Sequence, residues 1–408
     1  MSLIVQKFGG SSVADAERIK RVAGIVAESY LEGNRVVVVL SAQGDTTDDL
    51  IEKAAEINRN PSKREMDMLL TTGEQISISL CAMALEAMGL PVVSLTGWQV
   101  GLKTTSAHGD ARIKRITGER LTTELDKNNI VLVAGFQGIN KYDDVTTLGR
   151  GGSDTTAVAL AVALHADLCQ IYTDVDGVYT GDPRKVKGVR KLDEITYDEM
   201  MELATLGAQV LHNRSVEMAK RYGINLEVLS SFKRVPGTKV KEVVKQMEGS
   251  YVSGVTQEKK IARLALVGLC DQPGIAFRIF SLLAKEKVNV DVILQSIGRQ
   301  DSKDISFTVS ECDLARSTAI LEAHKDNIGF DHINVSDRVA KVSIVGAGLV
   351  CNSGIAAQMF EALYTANVNI QMISTSEIKI SVLVDENEAD RAVQAVHDSF
   401  FNNLSRDS

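Results

Sequence analysis

The sequence predicts an α/β fold in two parts. The first is a mostly parallel sheet with helices on both faces, and the second is a pair of small ferredoxin-like βαββαβ modules. Strand-like and helix-like segments alternate up to about residue 230. Val36–Leu40 is apolar throughout, as expected of a strand buried on both faces. The last third of the chain contains an internal repeat, which indicates a duplicated module.

The elements of the first part follow from short apolar runs and one long amphipathic stretch. Residues 13–32 have the helical spacing of apolar side chains. Ligands of parallel sheets bind beyond the carboxyl ends of the strands, so we expect the site there. Six runs are predicted to be strands: Leu3–Phe8, Val36–Leu40, Val92–Leu95, Ile130–Phe136, Gln170–Thr173 and Leu226–Leu229.

The repeat defines the second part and the predicted boundaries. Residues 263–268 recur as 341–346, with a glycine turn, a helix, two strands and a helix after each. Charge, proline and glycine after residue 232 suggest a linker. The predicted domains are 1–232, a linker at 233–249, a first repeat at 250–336 with a strand that could join the second repeat, and a second repeat at 337–408.

Composition excludes several classes of protein. The chain has 408 residues, 44% hydrophobic and 24% charged, with a net charge of −8, which argues against a broad nucleic-acid surface. The sequence lacks an apolar run of about 18 residues and a secretory signal, so we expect a cytoplasmic protein without a membrane span. The five cysteines are far apart and are expected to be reduced and mostly buried. The six histidines lack metal-ligand spacing, so no metal site is predicted.

Lys7–Ser12, at the end of the first predicted strand, has the composition of a phosphate cradle. Glycines let the backbone approach an anion, helix-start amides point at it, and the lysine adds a full charge. The alternative is a tight turn without a ligand.

Gly149–Thr156 is a glycine loop that opens a strongly helical run. A helix N-terminus favours anions, and Arg150 can hold a carboxylate through two parallel hydrogen bonds. The alternative is a well-capped helix with a solvated arginine.

Two further polar segments follow predicted strands or begin predicted helices. Thr173–Arg184 offers acids, a tyrosine and an arginine, which suggests a nucleotide clamp, although the tyrosine could simply pack. Ser41–Asp48 and Thr71–Glu74 could bind an ammonium and a carboxylate together. The alternative for this group is helix capping, which would explain Asp45 or Thr46 well.

Together these motifs resemble those of the aspartate kinase family, a branch of the amino-acid kinases. The motifs are Lys-Phe-Gly-Gly-Ser-Ser, Ser-Ala-x-Gly-x-Thr-Thr-Asp, Thr-Thr-Gly-Glu, Gly-Arg-Gly-Gly-Ser-Asp-Thr-Thr and Thr-Asp-Val-Asp-Gly-Val-Tyr-Thr-x-Asp-Pro-Arg, in that order. The two repeats resemble the tandem ACT domains of that family, so the resemblance covers essentially the whole chain. One departure is Gln43, where many relatives carry methionine.

The resemblance implies a role for each matching residue. ATP and Mg²⁺ are the implied cofactors, the metal ligands are not identified, and Lys7 and Asp174 are the implied catalytic residues. Positions matching the nucleotide site are Lys7, Phe8, Gly9, Gly10, Thr173, Asp174, Tyr179, Asp182 and Arg184. Positions matching the aspartate site are Ser41, Thr47, Glu74, Arg150 and Ser153, with Arg150 on the α-carboxylate.

The implied reaction is phosphorylation of the aspartate side chain to 4-phospho-L-aspartate, the first step of lysine, threonine and methionine biosynthesis. The nucleophile is a carboxylate that is already ionised near pH 7, so no general base is required. Catalysis then consists of positioning and charge neutralisation. The sequence lacks GxxxxGK[ST], which argues against a P-loop kinase.

The repeats resemble ACT effector pockets, which implies feedback inhibition by lysine, threonine or both, and a homodimer or larger assembly. Met247 could be an internal start that yields a regulatory-only chain. The alternative to an effector pocket is that Gly274 and Gly354 only make turns, since a duplicated fold duplicates its turns. The implied effector residues are Asp271, Gly274, Ile275, Ala276, Asn289, Asp291, Gln295, Ile355, Ala356, Asn369, Ile370, Ser376 and Glu377.

Two other functions compete with this interpretation. A different amino-acid kinase, acting on glutamate, acetylglutamate or a nucleoside monophosphate, would share the first motif but should lack the tyrosine-containing loop and the two repeats. A non-catalytic amino-acid sensor would have a degenerate kinase part, whereas Lys7, Arg150 and Asp174 are all present.

Overall fold

The computed structural model describes residues 2–205, 210–244, 251–297, 302–349, 352 and 354–402. The chain divides into two compact units. The first unit comprises Met1–Tyr179 and Lys191–Gln246, and the second comprises Thr180–Arg190 and Met247–Ser408. The division after residue 246 falls inside the predicted linker, but Thr180–Arg190 groups with the second unit and not with the predicted first domain. Met247 itself lies outside the described residues.

The first unit contains an eight-stranded sheet and a separate four-stranded sheet. The strand orders are β10-β12-β11-β9-β1-β2-β6-β3 and β5-β4-β7-β8. All neighbours in the larger sheet are parallel except β11 and β12. The strands are β1 (Leu3–Phe8), β2 (Arg35–Leu40), β3 (Val92–Leu95), β4 (Leu102–Thr104), β5 (Ile113–Ile116), β6 (Ile130–Ala134), β7 (Gln137–Ile139), β8 (Val145–Thr147), β9 (Leu168–Thr173), β10 (Glu194–Thr196), β11 (Leu226–Ser230) and β12 (Thr238–Lys241).

Helices of the first unit connect these strands. The predicted helix over 13–32 begins later, at α1, because Asp15 caps it and accepts a hydrogen bond from the Arg18 amide at 2.9 Å. Apolar residues of α1 and α4 pack with β1, β2 and β6 in one core. The helices are α1 (Ala16–Leu31), α2 (Thr46–Ile57), α3 (Lys63–Leu70), α4 (Thr72–Glu86), α5 (Glu119–Asp126), α6 (Gly152–Leu164), α7 (Tyr197–Thr205) and α8 (Asn213–Tyr222).

All six predicted strands are confirmed as members of the large sheet; two have the predicted ends, and the other four differ at one end by one or two residues. The region predicted as a linker differs, because Thr238–Lys241 forms β12. Thr238 and Val240 are buried while Lys239 is exposed, which is the alternation of an ordinary strand. Two lysines in a four-residue run made this strand resemble a charged linker.

The stretch Lys63–Ala87 is helical, and by length and composition alone it could cross a membrane. Only 39% of its most apolar 18-residue stretch is buried in the structure, but Ile78, Cys81 and Leu85 belong to the core of the first unit. Core helices of water-soluble proteins pass the same test, so the stretch is weak evidence for a membrane span.

The second unit contains a six-stranded sheet in the order β14-β15-β13-β16-β18-β17, with antiparallel neighbours throughout. Its strands are β13 (Gly254–Cys270), β14 (Val290–Ile297), β15 (Ser302–Ser310), β16 (His332–Val345), β17 (Met372–Thr375) and β18 (Lys379–Asp385). Its helices are α9 (Ile275–Lys285), α10 (Leu314–Ala323), α11 (Lys325–Ile328), α12 (Gly354–Thr365) and α13 (Ala389–Phe401).

The long strands β13 and β16 are each shared by both repeats. Val255, near the start of β13, packs in the core of the second repeat, whereas Leu264 and Leu266 pack in the core of the first. The start of β13 pairs with the end of β16, from Gly254 opposite Val345 onward. The strand expected to join the second repeat is therefore the beginning of β13, and the core of the second repeat is completed by chain from the first.

The cysteines divide into two environments. Cys81 and Cys169 are buried, and burial raises the pKa of Cys81 to about 12, so its thiol is unreactive near neutral pH. Cys270 and Cys312 are exposed, contrary to the expectation of mostly buried thiols. Cys351 lies outside the described residues.

Candidate active site

The loops that follow β1, β2 and β6 are joined by backbone hydrogen bonds. The Ser41 amide donates to Phe8 O at 3.1 Å, and the Gly44 amide donates to Gly10 O at 3.0 Å. The Gly135 amide donates to Leu40 O at 3.0 Å. The carboxyl ends of three neighbouring strands therefore form one surface, as expected for a ligand site in a parallel sheet.

Lys7 and Asp154 form an ion pair at this surface. Lys7 Nζ lies 2.7 Å from Asp154 Oδ1, and the side chains are only 12% and 11% exposed. Lys7 lies near the end of β1, and Asp154 lies in the first turn of α6. The pair holds the ammonium group in a fixed position beside the glycine loop, where it can act on an anionic ligand.

The start of α6 lies close to the end of β6 and to the start of α8 because two residues there, Gly135 and Gly151, lack a side chain. A Cβ at Gly135 would lie 2.6 Å from Ser153 Oγ and 3.0 Å from Leu40 O. Gly151 has a φ of 68° and its Cα faces His212, so an L-residue there would be strained and would clash. Ser153 is consequently buried beside the end of β6, on the surface that also holds Lys7.

Glu74 is a buried carboxylate at the same surface. It lies in the first turn of α4, is 3% exposed, and accepts a hydrogen bond from the Ala42 amide at 3.2 Å through Oε1. Among the described residues Oε2 has no hydrogen-bond partner. Burial raises the pKa of Glu74 to about 7, although the amide bonds from Glu74 itself and Ala42 lower it. A cationic group bound here would return Glu74 to its ionised form.

Arg150 is exposed and follows Gly149, whose φ is 75°. Within the part of the chain that the structure describes, Arg150 forms no ion pair with a carboxylate. Its guanidinium is therefore available for an external anion. Ser41 and Thr47 are half-buried at the end of β2 and the start of α2, on the Glu74 side of the surface.

The loop beside Gly149 is held by a residue that the sequence analysis did not select. Asp67 is 1% exposed and accepts bonds from Thr147 Oγ1 at 2.6 Å and from the Gly109 amide. His108 Nδ1 lies 2.8 Å from Asp67 Oδ2. A buried carboxylate with this many partners fixes the loop that approaches Gly149. Only its position two residues before a leucine pair in α3 marks it in the sequence, so no pattern could have identified it.

Thr173 is the last residue of β9, the other neighbour of β1, and Asp174 follows it. The Ser231 amide donates to Thr173 O at 3.0 Å, and Ser12 Oγ donates to Ser231 Oγ at 2.8 Å, so these residues adjoin the glycine loop. Asp174 is exposed, and the hydroxyl of Thr173 donates to it at 3.0 Å. The Tyr179 hydroxyl donates to Asp176 at 2.8 Å, which holds its ring half-buried in this loop.

Comparison with known proteins bears directly on this geometry. Residues 2–230 match the model of the amino acid kinase family, and residues 264–324 and 342–400 match that of the ACT domain. The aspartokinase of Bacillus sp. (strain MGA3) is 51% identical over 400 residues, which is 98% of this chain and 97% of the relative. Aspartokinase 2 of Bacillus subtilis (strain 168) is 50% identical over 98% of both chains.

The chain belongs to the aspartokinase family, within the amino acid kinases.

A solved structure supports the same assignment. The structure of E. coli aspartokinase III in complex with aspartate and ADP, in its R-state, matches with a TM-score of 0.84 at 28% identity. The match covers 98% of this chain and all of the other. The α/β fold with tandem ACT domains is thereby confirmed.

In this aspartokinase, two of the implied nucleotide residues belong to the second unit. Asp182 and Arg184 lie in Thr180–Arg190, and Asp182 Oδ1 accepts from the Arg184 amide at 3.0 Å and from its Nε at 3.1 Å. Partial burial raises the pKa of Asp182, but the bonds from Arg184 outweigh it and lower the pKa overall. The other implied nucleotide residues lie in the first unit.

The implied effector residues divide into core and surface positions. Ile275 and Ile355 are buried, each in the core of its own repeat, and Ala276, Ala356 and Ile370 pack against these cores. Gly274 caps α9 with a φ of 93°. The polar members are exposed: Asp271, Asn289, Asp291, Gln295, Asn369, Ser376 and Glu377.

Asp291 and Asp271 already have cationic partners within the aspartokinase chain. Asp291 forms a short ion pair with Lys341, which is 4% exposed and also lies 2.8 Å from Glu258. Burial lowers the pKa of Lys341, but Glu258 and Asp291 outweigh it and raise the pKa overall. Asp271 pairs with Lys303 at 2.6 Å. A ligand ammonium would have to compete with these lysines for either carboxylate.

Asp154 is a second residue of this surface to which the sequence analysis gave no role. It lies one position after Ser153 within the quoted glycine motif, so the signal was present. A carboxylate in the first turn of a helix is explained equally well by the helix dipole. Only the folded structure shows that it pairs with Lys7.

Proposed function

We propose that the chain transfers the γ-phosphoryl group of ATP to the side-chain carboxylate of L-aspartate and yields 4-phospho-L-aspartate. The observation that carries the proposal is the arrangement of the Lys7–Asp154 pair, the buried Glu74 and the exposed Arg150 around one set of strand ends. This set offers one fixed cation, one acceptor for an ammonium and one clamp for a carboxylate. An amino acid with a second carboxylate is the substrate with matching charges.

Each group has a distinct task in this reaction. Arg150 binds the α-carboxylate of aspartate, with Ser41, Thr47 and Ser153 as hydrogen-bond partners. Glu74 orients the amino acid through its ammonium group. The side-chain carboxylate attacks the γ-phosphorus in line with the departing ADP oxygen, and no proton needs to be removed from it.

Lys7 stabilises the charge on the transferring group. Its ammonium cannot swing away because Asp154 holds it at 2.7 Å. The ion pair costs reorganisation energy only once, on folding, so the cation is in place when charge develops in the transition state. Phe8, Gly9 and Gly10 offer backbone beside it, and Thr173, Asp174 and Tyr179 line the nucleotide side.

A Mg²⁺ ion would enter with ATP, bound mainly by the phosphates. Mg²⁺ in kinases is held by one or two carboxylates together with phosphates and water. Asp174 is exposed beside the glycine loop and fits such a role, whereas Asp154 is already paired. When bound, the ion neutralises phosphate charge.

The rival substrates and the sensor hypothesis fit less well. The structure of E. coli aspartokinase III holds aspartate and ADP, and the family membership of this chain favours the same pair. A sensor without activity would not need a buried cation beside a glycine loop, because burying and pairing charges brings little net stability.

The test is acyl-phosphate formation, trapped with hydroxylamine, with Lys7→Ala and the exposed Lys53→Ala as a matched pair. We expect turnover with ATP, Mg²⁺ and aspartate, a loss of at least about a hundredfold in kcat for Lys7→Ala, and no change for Lys53→Ala. Equal turnover of glutamate would point to another amino-acid kinase. Unchanged turnover in Lys7→Ala would remove Lys7 from the mechanism.

We also propose that lysine, threonine or both bind at the ACT domains and inhibit the enzyme, as the lysine complex of E. coli aspartokinase III in its T-state suggests. Coupling of this kind is typically worth about 1–3 kcal/mol. Titration calorimetry with each amino acid, alone and in combination, tests it. Absence of heat with every amino acid would leave the ACT domains without the proposed ligands.

The proposed assembly is a homodimer or larger in the cytoplasm, formed through the ACT domains, and the proposed second product of the reading frame is a regulatory-only chain that starts at Met247. Light scattering of the purified chain and intact-mass analysis after expression of the single reading frame test these points. A monomer at all concentrations would overturn the first, and a single species of full mass would overturn the second.

A further inference from the structure

Arg214, in the first turn of α8, carries a charged group to which the proposed reaction gives no role. Its side chain is only 17% exposed, whereas arginines are mostly solvated. Burial lowers the pKa of Arg214, the charge of Arg112 lowers it further, and Asp110 raises it without reversing the shift. Because the surroundings disfavour the charge, the side chain must be held in place by its contacts.

The guanidinium of Arg214 joins two loops through hydrogen bonds to backbone carbonyl groups. Nη1 donates to Leu148 O at 2.8 Å, and Nη2 donates to Ala111 O at 3.3 Å. Nη1 also lies 3.4 Å from Oδ1 of the exposed Asp110. Leu148 opens the glycine loop that carries Arg150, so Arg214 binds this loop directly.

The glycine loop that carries Arg150 is enclosed on both sides. A Cβ at Gly149 would lie 3.3 Å from a backbone oxygen of the 109–111 loop. A Cβ at Gly151 would lie 2.2 Å from the ring of His212, the residue that caps α8. The backbone on either side of Arg150 is therefore packed against the 109–111 loop and the start of α8, the two places that Arg214 connects.

The glycine loop depends on such contacts for its conformation. Gly149 and Gly151 have φ values of 75° and 68°, and glycine loses more conformational freedom on folding than any other residue. The planar guanidinium presents several donors in a fixed geometry, which an ammonium group does not. Without Arg214, the carbonyl of the fully buried Leu148 would lose this donor, and a buried acceptor without a partner is destabilising.

We propose that Arg214 is a positioning residue for Arg150, and that it thereby sets the affinity of the site for the α-carboxylate of the substrate. The proposal rests on the proposed function, because it requires Arg150 to bind that carboxylate. All of the groups involved belong to the first unit. The site selects amino acids with two carboxylates, one held by Arg150 and the other free to attack phosphorus.

The test compares L-aspartate with its α-amide, which keeps the attacking carboxylate and lacks the one that Arg150 would bind. We expect the wild type to prefer aspartate in kcat/KM by at least about tenfold. In Arg214→Met the preference should fall to within about threefold, because a displaced Arg150 no longer distinguishes the two substrates. The KM for ATP should stay within about twofold. Arg221→Met is the control and should match the wild type, since Arg221 is an exposed arginine on the same helix that pairs with Glu217 at 3.7 Å.

Variants of Arg150 separate the inference from the proposed function. In Arg150→Ala the preference for aspartate should also fall, and adding Arg214→Met should change it no further. A preserved preference in Arg150→Ala would overturn the proposed role of Arg150 and the inference with it. Loss of the preference in Arg150→Ala but not in Arg214→Met would overturn the inference alone. An equal loss of rate with both substrates in Arg214→Met would also overturn it, because that is the result of a general loss of structure.

A conservative variant and hydrogen–deuterium exchange complete the test. If Arg214→Met does not fold, Arg214→Lys takes its place, and its preference should lie between those of the wild type and Arg150→Ala, since an ammonium lacks the planar geometry. A preference equal to that of the wild type would overturn the inference. If the wild type phosphorylates no aspartate, the proposed function fails first, and exchange decides the inference. The amides of residues 149–155 should then exchange faster in the Arg214 variant than in Arg221→Met, and equal exchange would overturn it.

Discussion

Glu74→Gln should stabilise the first unit at neutral and alkaline pH and leave it unchanged in acid. The carboxyl group has an ordinary pKa of 4.5 in the unfolded chain and about 7 in the folded one. Below about pH 4.5 both states hold the proton, so the group contributes nothing to the pH dependence. As the pH rises from there to about 7, only the unfolded state ionises, and the free energy of unfolding falls.

The magnitude follows from the two pKa values. Each pKa unit corresponds to about 1.36 kcal/mol, so the cost above pH 7 reaches about 3 kcal/mol for a side chain that is 3% exposed. Glutamine keeps the acceptor for the Ala42 amide and cannot ionise. Its NH₂ group replaces a protonated oxygen that also lacks a partner among the described residues. The folded chain should therefore be about equally stable with glutamine and with the neutral glutamate.

The assay is urea unfolding followed by tryptophan fluorescence between about pH 4 and pH 8. Trp98 is the single tryptophan and lies in the first unit, so the signal reports that unit alone. The difference between Glu74→Gln and wild type should grow from near zero to about 3 kcal/mol across this range. Glu86→Gln, an exposed position on the same helix, should leave the curve unchanged. Parallel curves for wild type and Glu74→Gln would refute the buried, protonated Glu74.

Three further predictions concern other parts of the molecule. Lys7→Met leaves Asp154 buried without a cation and should lower the free energy of unfolding by about 3–5 kcal/mol. Adding Asp154→Asn should recover most of this stability in urea titrations but should not restore turnover, and recovery of both stability and turnover would contradict a catalytic lysine. Gly135→Ala forces Ser153 and Leu40 away and should reduce kcat/KM at least about tenfold. Gly24→Ala, which has open space in α1, should instead raise the free energy of unfolding by about 0.5–1 kcal/mol, and equal behaviour of the two variants would contradict the close approach of Gly135 to Ser153. Lys341→Met leaves Asp291 and Glu258 without their buried cation and should lower the midpoint temperature of calorimetric unfolding of the second unit, while acyl-phosphate formation is retained. An unchanged midpoint temperature would show that the ion pairs of Lys341 contribute no stability.

Much of the fold could be predicted because local patterns and tertiary structure agree. Val36–Leu40 is apolar on both faces and lies in the middle of the large sheet, with every residue buried. The repeat was visible because each copy has its own glycine turn and core positions. The small sheet of β4, β5, β7 and β8 was not predicted, since strands of three or four residues carry too little pattern to distinguish them from loops.

The site could be predicted only in part, because only some of its residues belong to local sequence patterns. Glycine loops and strand ends are local features, so Lys7, Ser153 and Arg150 were found in the sequence. Asp67, Ser231 and Arg214 act through contacts across long sequence separations, which no local pattern encodes. The grouping of Thr180–Arg190 with the second unit has the same origin, because only folding brings that segment to α13.

The most direct measurement is the rate of ATP-dependent hydroxamate formation by the purified chain, with L-aspartate and L-glutamate side by side. We expect turnover with aspartate, little with glutamate, and none without Mg²⁺ or in Lys7→Ala. No turnover with aspartate under conditions where the chain is folded and binds ADP would contradict the proposed reaction.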